Sequence, residues 1–120
     1  MTVSFALIPT INQVLMNSSK LLALVVCAAG PATQATQLVS SAQRRGWAVR
    51  VIISKPAREL VAAELVDVGA QIERGEPDTI IIAPASFNTI NKLSGGISDE
   101  RHLDFLHPRI KRIPTVILPL

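Results

Sequence analysis

Aromatic residues are scarce in this chain, with three phenylalanines, one tryptophan and no tyrosine among 120 residues. Its core is therefore expected to be aliphatic, built from Val, Ile, Leu and Ala, and a surface that stacks nucleic-acid bases on aromatic rings is disfavoured. Cysteine is nearly absent as well. The single Cys27 permits neither a disulfide framework nor a cysteine metal site within one chain, which suits a reducing cytoplasm. Inside the apolar run Leu21 to Ala29 it reads as a buried small hydrophobe, and no metal site is expected. Long hydrophobic runs are missing too. Phe5 to Met16 comes nearest, but it contains Pro9, Asn12 and Gln13 and has no basic residue ahead of it, so neither a signal peptide nor a membrane span fits. The charge excess is only +3. It is scattered over Arg44, Arg45, Arg50, Lys55 and Arg58, with one cluster at Arg109, Lys111 and Arg112. That distribution describes solvated helix faces and loop ends, and no nucleic-acid or membrane partner is expected.

What the chain does have is aliphatic bulk, with 48% apolar residues, enough for one compact domain. Residues 1–19 read as an appendage of unknown role: a frayed tail, an extra helix used in assembly, or an overlong start with Met16 as the initiator. Residues 20–120 form the domain. Leu21 to Cys27 reads as a first strand and Ala32 to Arg45 as a helix whose Ala35, Leu38, Val39 and Ala42 share a face. Gly46 ends that helix. Val49 to Ile53 reads as a second strand, and Ala57 to Val68 as a second helix with Pro56 in its first turn; its apolar face carries Ala57, Leu60, Val61, Leu65 and Val68. Gly69 closes it, and Gln71 to Asp78 reads as a polar, turn-rich connection. Thr79 to Ala83 is the third strand, followed by a helix from about Asn88. Asp99 to Lys111 holds a short helix disturbed by Pro108. Ile113 to Leu118 is the fourth strand, with Pro114 acceptable only near its beginning. Strands alternating with helices imply an α/β fold: a parallel sheet with right-handed crossovers.

The most informative stretch is Ala83-Pro84-Ala85-Ser86-Phe87-Asn88-Thr89, followed by Lys92 and by Gly96-Ile97-Ser98-Asp99. It lies where a buried strand hands over to a helix, the junction at which open α/β sheets hold ligands. Ser86 and Thr89 offer hydroxyls, Asn88 offers a donor and an acceptor, and free N–H groups at a helix start suit an anion. Helix capping is the simpler use of any one of these residues. The first strand-to-helix loop, Ala28-Ala29-Gly30-Pro31-Ala32, is small enough for close backbone approach, yet it is not G-x-G-x-x-G. The second strand ends in Ser54-Lys55, without the acid that a dinucleotide ribose requires; Ser54 is expected to cap the next helix and offer a hydroxyl to a phosphate. Together the three loops favour a mononucleotide phosphate with a planar ring beside it.

The string Pro84-Ala85-Ser86-Phe87-Asn88-Thr89 resembles the Pro-Ala-Ser-Ala-Asn-Thr motif of the homo-oligomeric flavin-containing cysteine decarboxylases (HFCD). That flavoprotein family includes phosphopantothenoylcysteine decarboxylase, lantibiotic peptide decarboxylases and flavin prenyltransferases. Only Phe87 departs from the motif. The continuation through Lys92 and Gly96 to Asp99, and Leu22 to Val61 upstream, are similar as well. The resemblance implies a three-layer Rossmann-like (flavodoxin-like) parallel sheet with helices on both faces, and FMN as cofactor. Ala28, Ala29, Gly30 and Ser54 would lie near its phosphate, and Ser86, Phe87, Asn88 and Thr89 along the phosphate and ring system. Asn88 would also contact a carboxylate of a small molecule or peptide substrate. It further implies a homo-oligomer, a trimer or a multiple of it, because the family binds flavin at a subunit boundary.

This chain also departs from the family. The decarboxylases carry a catalytic histidine between the second helix and the third strand, whereas residues 62–78 contain none. His102 and His107 both follow the Ser86 motif and read as exposed helix residues. The family's later segment, with its substrate clamp, has no counterpart before Leu120; Ala28 replaces a glycine usual in the phosphate loop. The expectation is an FMN-binding protein without thiol-decarboxylase chemistry. Two alternatives stand beside it: an active decarboxylase or prenyltransferase-like enzyme using His102, His107 or a neighbouring subunit, and a ligand-free protein-contact module.

Overall fold

The apolar runs of the sequence become parallel strands. In the computed structural model, which describes residues 21–27, 32–72 and 75–119, they are β1 (Leu21–Val26), β2 (Ala48–Ile53), β3 (Gln71–Ile72), β4 (Thr79–Ala85) and β5 (Thr115–Pro119). Helices α1 (Ala32–Arg44), α2 (Lys55–Asp67), α3 (Phe87–Gly95) and α4 (Arg101–Leu106) connect them. The sheet order is β3-β2-β1-β4-β5, and every neighbouring pair is parallel. Such a sheet needs cover on both faces, which is why β1 is an unbroken apolar run rather than an alternating one.

Period-two geometry splits that run between two cores. Leu22, Leu24 and Val26 join Val49, Val51, Ile53 and Ile81 on one face, under Ala35, Leu38, Val39 and Ala42 of α1 and Ala57, Val61 and Leu65 of α2. Ala23, Val25 and Cys27 face the other way with Ile52, Ile80 and Ile82, against Phe105 and Leu106 of α4 and the half-buried Ile90 and Leu93 of α3. The result is the three-layer α/β sandwich expected. Among the described residues no helix is long and apolar enough to cross a membrane.

The boundaries differ instructively. Gln71–Ile72 is a short edge strand, not only connection, held by pairing Arg50↔Gln71 and Val51↔Ile72. The strand leading to the Ser86 motif runs on to Ala85, through an irregularity between Ile82 and Ala85 where three residues of β4 oppose two of β5. Pro84 lies inside it. A proline cannot donate to the ladder, and a bulge beside a site re-aims the side chains that follow. The last helix stops at Leu106, and β5 starts only after Pro114. Gly96 caps α3 at φ 71°, a left-handed conformation that glycine adopts without strain.

Because the chain leaves β1 for β2 on one side and returns to β4 on the other, the order reverses between β1 and β4. A crevice opens outside the carboxyl ends of the strands at such a point. Cys27 follows β1, Ser54 follows β2 and Ser86 follows β4, so the crevice is walled by these residues.

Candidate functional site

Three strand ends supply the floor of the site. Ser54 is buried, and its N–H donates to the Val26 carbonyl at 2.8 Å while its hydroxyl donates to the Cys27 carbonyl at 2.9 Å. The hydroxyl therefore ties the end of β2 to the end of β1. It does not cap α2, as the sequence suggested, although Ser54 occupies the N-cap position. A serine hydroxyl has one proton, and the carbonyl takes it, so donation to a phosphate requires rotation away from Cys27.

Across the crevice, Ser86 caps α3. Its Oγ accepts the Thr89 N–H at 3.1 Å and donates to Thr89 Oγ1 at 2.9 Å. Thr89, only 3% exposed, is in turn 3.1 Å from Nε2 of His102. His102 is 2% exposed, not an exposed helix residue. It stands three and four positions before Phe105 and Leu106, the spacing that places it on the buried face of α4, and that spacing was the available signal. Burial holds its pKa below the ordinary 6.5. His107 is half-buried and acts elsewhere, with Nε2 2.7 Å from the Ile97 carbonyl.

Cys27 completes the cluster. Burial pushes its thiol up to about 11, partly offset by hydrogen bonding from Thr89 and the Ser86 backbone. At neutral pH it is a thiol, not a nucleophile. Cys27, Ser54, Pro56, Ser86, Asn88, Thr89, Glu100 and His102 together line a pocket of about 290 Å3. Glu100 and His102 also line an adjoining cavity of about 400 Å3. Both are of the order of small-molecule sites.

The structure brings Ser54, Ser86, Asn88 and Thr89 to one pocket. Asn88 is exposed and lines the pocket. Phe87, 78% exposed, is not part of the pocket wall. Ala28, Ala29 and Gly30 lie outside the described residues, as does the 1–19 segment. Glu100 and Pro56 carry no site signal in the sequence, and His102 enters there only through the active-decarboxylase alternative. The Lys92 ammonium bridges Asp99 at 3.0 Å and Glu100 at 3.4 Å, and those carboxylates raise its pKa. This bridge is the structural reason for the spacing from Lys92 to Asp99: it fastens α3 to the segment that starts α4.

A parallel α/β sheet with a hydroxyl-rich crevice at its switch point is the Rossmann-like architecture. Comparison with known proteins narrows this. Residues 10–120 match the family described as Flavoprotein, and the chain belongs to that family. The match begins within the segment read as an appendage. No curated protein sequence is similar enough to count as a relative. Among solved structures, the FMN-dependent cysteine decarboxylase SpaF superposes with a TM-score of 0.65 at 21% identity, covering 88% of this chain and 69% of its own. The cypemycin decarboxylase CypD gives 0.69 at 16% identity, covering 88% and 70%. At those identities the likeness establishes the fold.

Proposed function

We propose that this flavoprotein binds FMN in the crevice between β1 and β4 and lacks thiol-decarboxylase activity. The observation that carries the reading is the convergence of Ser54, Ser86, Asn88 and Thr89 on one pocket at the switch point. The fit is favourable in kind, since the buried His102 ring leaves its Nδ1 without a partner among the described residues, and a flavin offers both ring acceptors and an anionic tail. FMN when bound supplies flavin redox chemistry. The protein's own groups orient it: Asn88 presents a donor and an acceptor to the ring or to a substrate carboxylate, and Ser86 and Thr89 hold the start of α3. Ala28, Ala29, Gly30 and Ser54 are assigned to the phosphate end, and Phe87 to the ring from outside the wall. The compartment proposed is the cytoplasm.

The assembly proposed is a homo-oligomer, a trimer or multiple of it. Phe87, 78% exposed and flanked in sequence by the pocket residues Ser86 and Asn88, supports this, since a large apolar side chain left in water beside a site suits a surface that another subunit covers. Sedimentation of the purified chain with and without FMN tests it; a monomer at micromolar concentration refutes it.

FMN titration tests the cofactor. Flavin fluorescence is expected to be quenched, the protein to gain thermal stability, and riboflavin to bind more weakly because it lacks the phosphate. A colourless protein indifferent to FMN leaves the protein-contact module as the better account. The absence of decarboxylation is argued from residues 62–78, which carry no histidine. The buried His102 favours a second reading, an active decarboxylase or transferase in which its imidazole moves the proton. Carbon dioxide release from cysteine-ended peptides that disappears in His102→Asn establishes that reading and refutes the first.

A further inference from the structure

Strand β5 closes the sheet order, paired with β4 on one side and, among the described residues, with nothing on the other. The pairing with β4 fixes which backbone groups face outward. The Ile80 N–H donates to the Pro114 carbonyl at 2.9 Å, and Ile80, Ile81 and Ile82 stand opposite Thr115, Val116 and Ile117. Along a strand the N–H and C=O of one residue point to one side and those of the next to the other. Pro114, Val116 and Leu118 are thus turned toward β4, while Thr115 and Ile117 present their N–H and C=O groups at the free edge. By the same alternation the Pro119 carbonyl follows them.

An edge of this kind is a template for another strand, and proteins guard such edges with charged side chains, bulges or prolines. The sequence of β5, Thr-Val-Ile-Leu-Pro, carries no charge, and its one guard is the terminal Pro119. Its side chains are also less covered than those of the inner strands. Leu22 to Val25 and Ile80 to Ile82 are 0% exposed, whereas Ile117 is 44% exposed and Val116 and Leu118 are only partly buried against the core.

The strand is self-complementary. Two copies set antiparallel about Ile117 place Ile117 opposite Ile117, Val116 opposite Leu118 and Thr115 opposite Pro119. The two Ile117 residues then exchange N–H···O=C bonds, each Thr115 N–H meets a Pro119 carbonyl, and aliphatic side chains face aliphatic side chains on both faces of the sheet. Such a two-fold contact consumes both edges at once and leaves neither to template further addition. A strand without charge has nothing with which to select a charged partner, but it fits its own copy.

We propose that β5 is an interaction surface for a second copy of this chain, joined antiparallel about Ile117 into one sheet that runs through both copies. A strand of five residues covers far less than the roughly 800 Å2 per partner of a standard interface, so the pair alone is weak and concentration-dependent. The contact does not rest on the flavin reading. Added to the trimer proposed around Phe87, it supplies the two-fold axes of a hexamer, a closed multiple of three.

The test follows the full chain by sedimentation and native mass spectrometry from about 1 μM to about 1 mM, the span in which a contact of this size associates. A hexamer is expected where the trimer also forms and a dimer where it does not, so failure of the trimer reading is separately visible; a trimer or a monomer throughout overturns the proposal. Ile117→Lys sets like charges opposite each other and is expected to weaken the two-fold contact at least roughly tenfold, leaving trimer or monomer. Val66→Lys, at a position on α2 that is 53% exposed, leaves the contact unchanged. An assembly indifferent to Ile117→Lys overturns the proposal. Ile117→Cys keeps the test independent of the lysine variant. Opposed residues of a hydrogen-bonded antiparallel pair have Cα atoms about 5.5 Å apart, within disulfide range, so mild oxidation is expected to cross-link two copies. Cys27 is buried and does not compete, and Val66→Cys stays uncross-linked. Absence of the Ile117→Cys cross-link overturns the proposal, and an introduced thiol that maleimide also fails to reach assigns the edge to another segment of the same chain.

Discussion

Replacing Thr89 by valine removes one hydroxyl at nearly constant shape, and the network around it sets the cost. The hydroxyl is 3.1 Å from His102 Nε2 and 2.9 Å from Ser86 Oγ. Ser86 is half-buried and its hydroxyl can turn to water, so that loss is small. Nε2 is worse placed to do so, because the His102 ring is only 2% exposed and its Nδ1 is already without a partner among the described residues. Losing a typical hydrogen bond costs about 1 kcal/mol, and stranding a buried partner adds about another 1 kcal/mol or more. The expected loss is about 2 kcal/mol. For a domain of this size that lowers Tm by roughly 8–12 °C, with an unchanged urea m-value. Thr89→Ser keeps the hydroxyl and loses a methyl, worth about 0.8 kcal/mol, so it must be the milder variant. His102→Leu in the Thr89→Val background removes the stranded nitrogen and recovers part of the loss, a positive coupling in a double-mutant cycle. Thr89→Val within 0.5 kcal/mol of the parent on the scale of surface substitutions, or Thr89→Ser as damaging as valine, would falsify the Thr89–His102 contact.

Three further outcomes follow from other parts of the molecule. His102 titrates below the ordinary 6.5 in the folded chain because of burial, so the unfolded chain binds its proton first as pH falls; stability is complete above about 6.5, declines by at most about 1.4 kcal/mol per pH unit below it, and levels off past the folded pKa. Urea melts from pH 8 to 4, a range of about four units around that value, should show this step and His102→Gln should remove it. Ser54→Ala breaks the buried bond to the Cys27 carbonyl and is expected to cost about 1–2 kcal/mol by chemical denaturation, through the joint between β1 and β2. Gly96→Ala meets no atom within 4 Å, so its cost comes from φ 71° alone: about 1 kcal/mol, and less for Gly96→Asn.

Much of the architecture was legible because it is local. Leu21 to Cys27 and Thr79 to Ala83 announce buried parallel strands through run length and aliphatic composition, and Ala35, Leu38, Val39 and Ala42 announce a helix through spacing. Ser86 and Gly96 mark the ends of α3 by their own side-chain and backbone chemistry. Those signals need only neighbours in the chain. The motif at Ser86 to Thr89 could likewise be read as a ligand loop, since its place after a strand fixes which edge of the sheet it joins.

Tertiary structure decided the rest, because the partners are far apart in sequence. Gln71–Ile72 has no strand signal of its own; it is extended because β2 offers it a ladder. Ser54 finds Cys27 instead of capping its helix because the register that pairs Val26 with Ile53 brings the two strand ends together. His102 is buried because α4 packs over the sheet beside α3, which sets its ring against a hydroxyl thirteen residues earlier. No local pattern encodes that contact. Only the packing of two helices on one face of the sheet turns a histidine of unremarkable surroundings into the wall of two cavities.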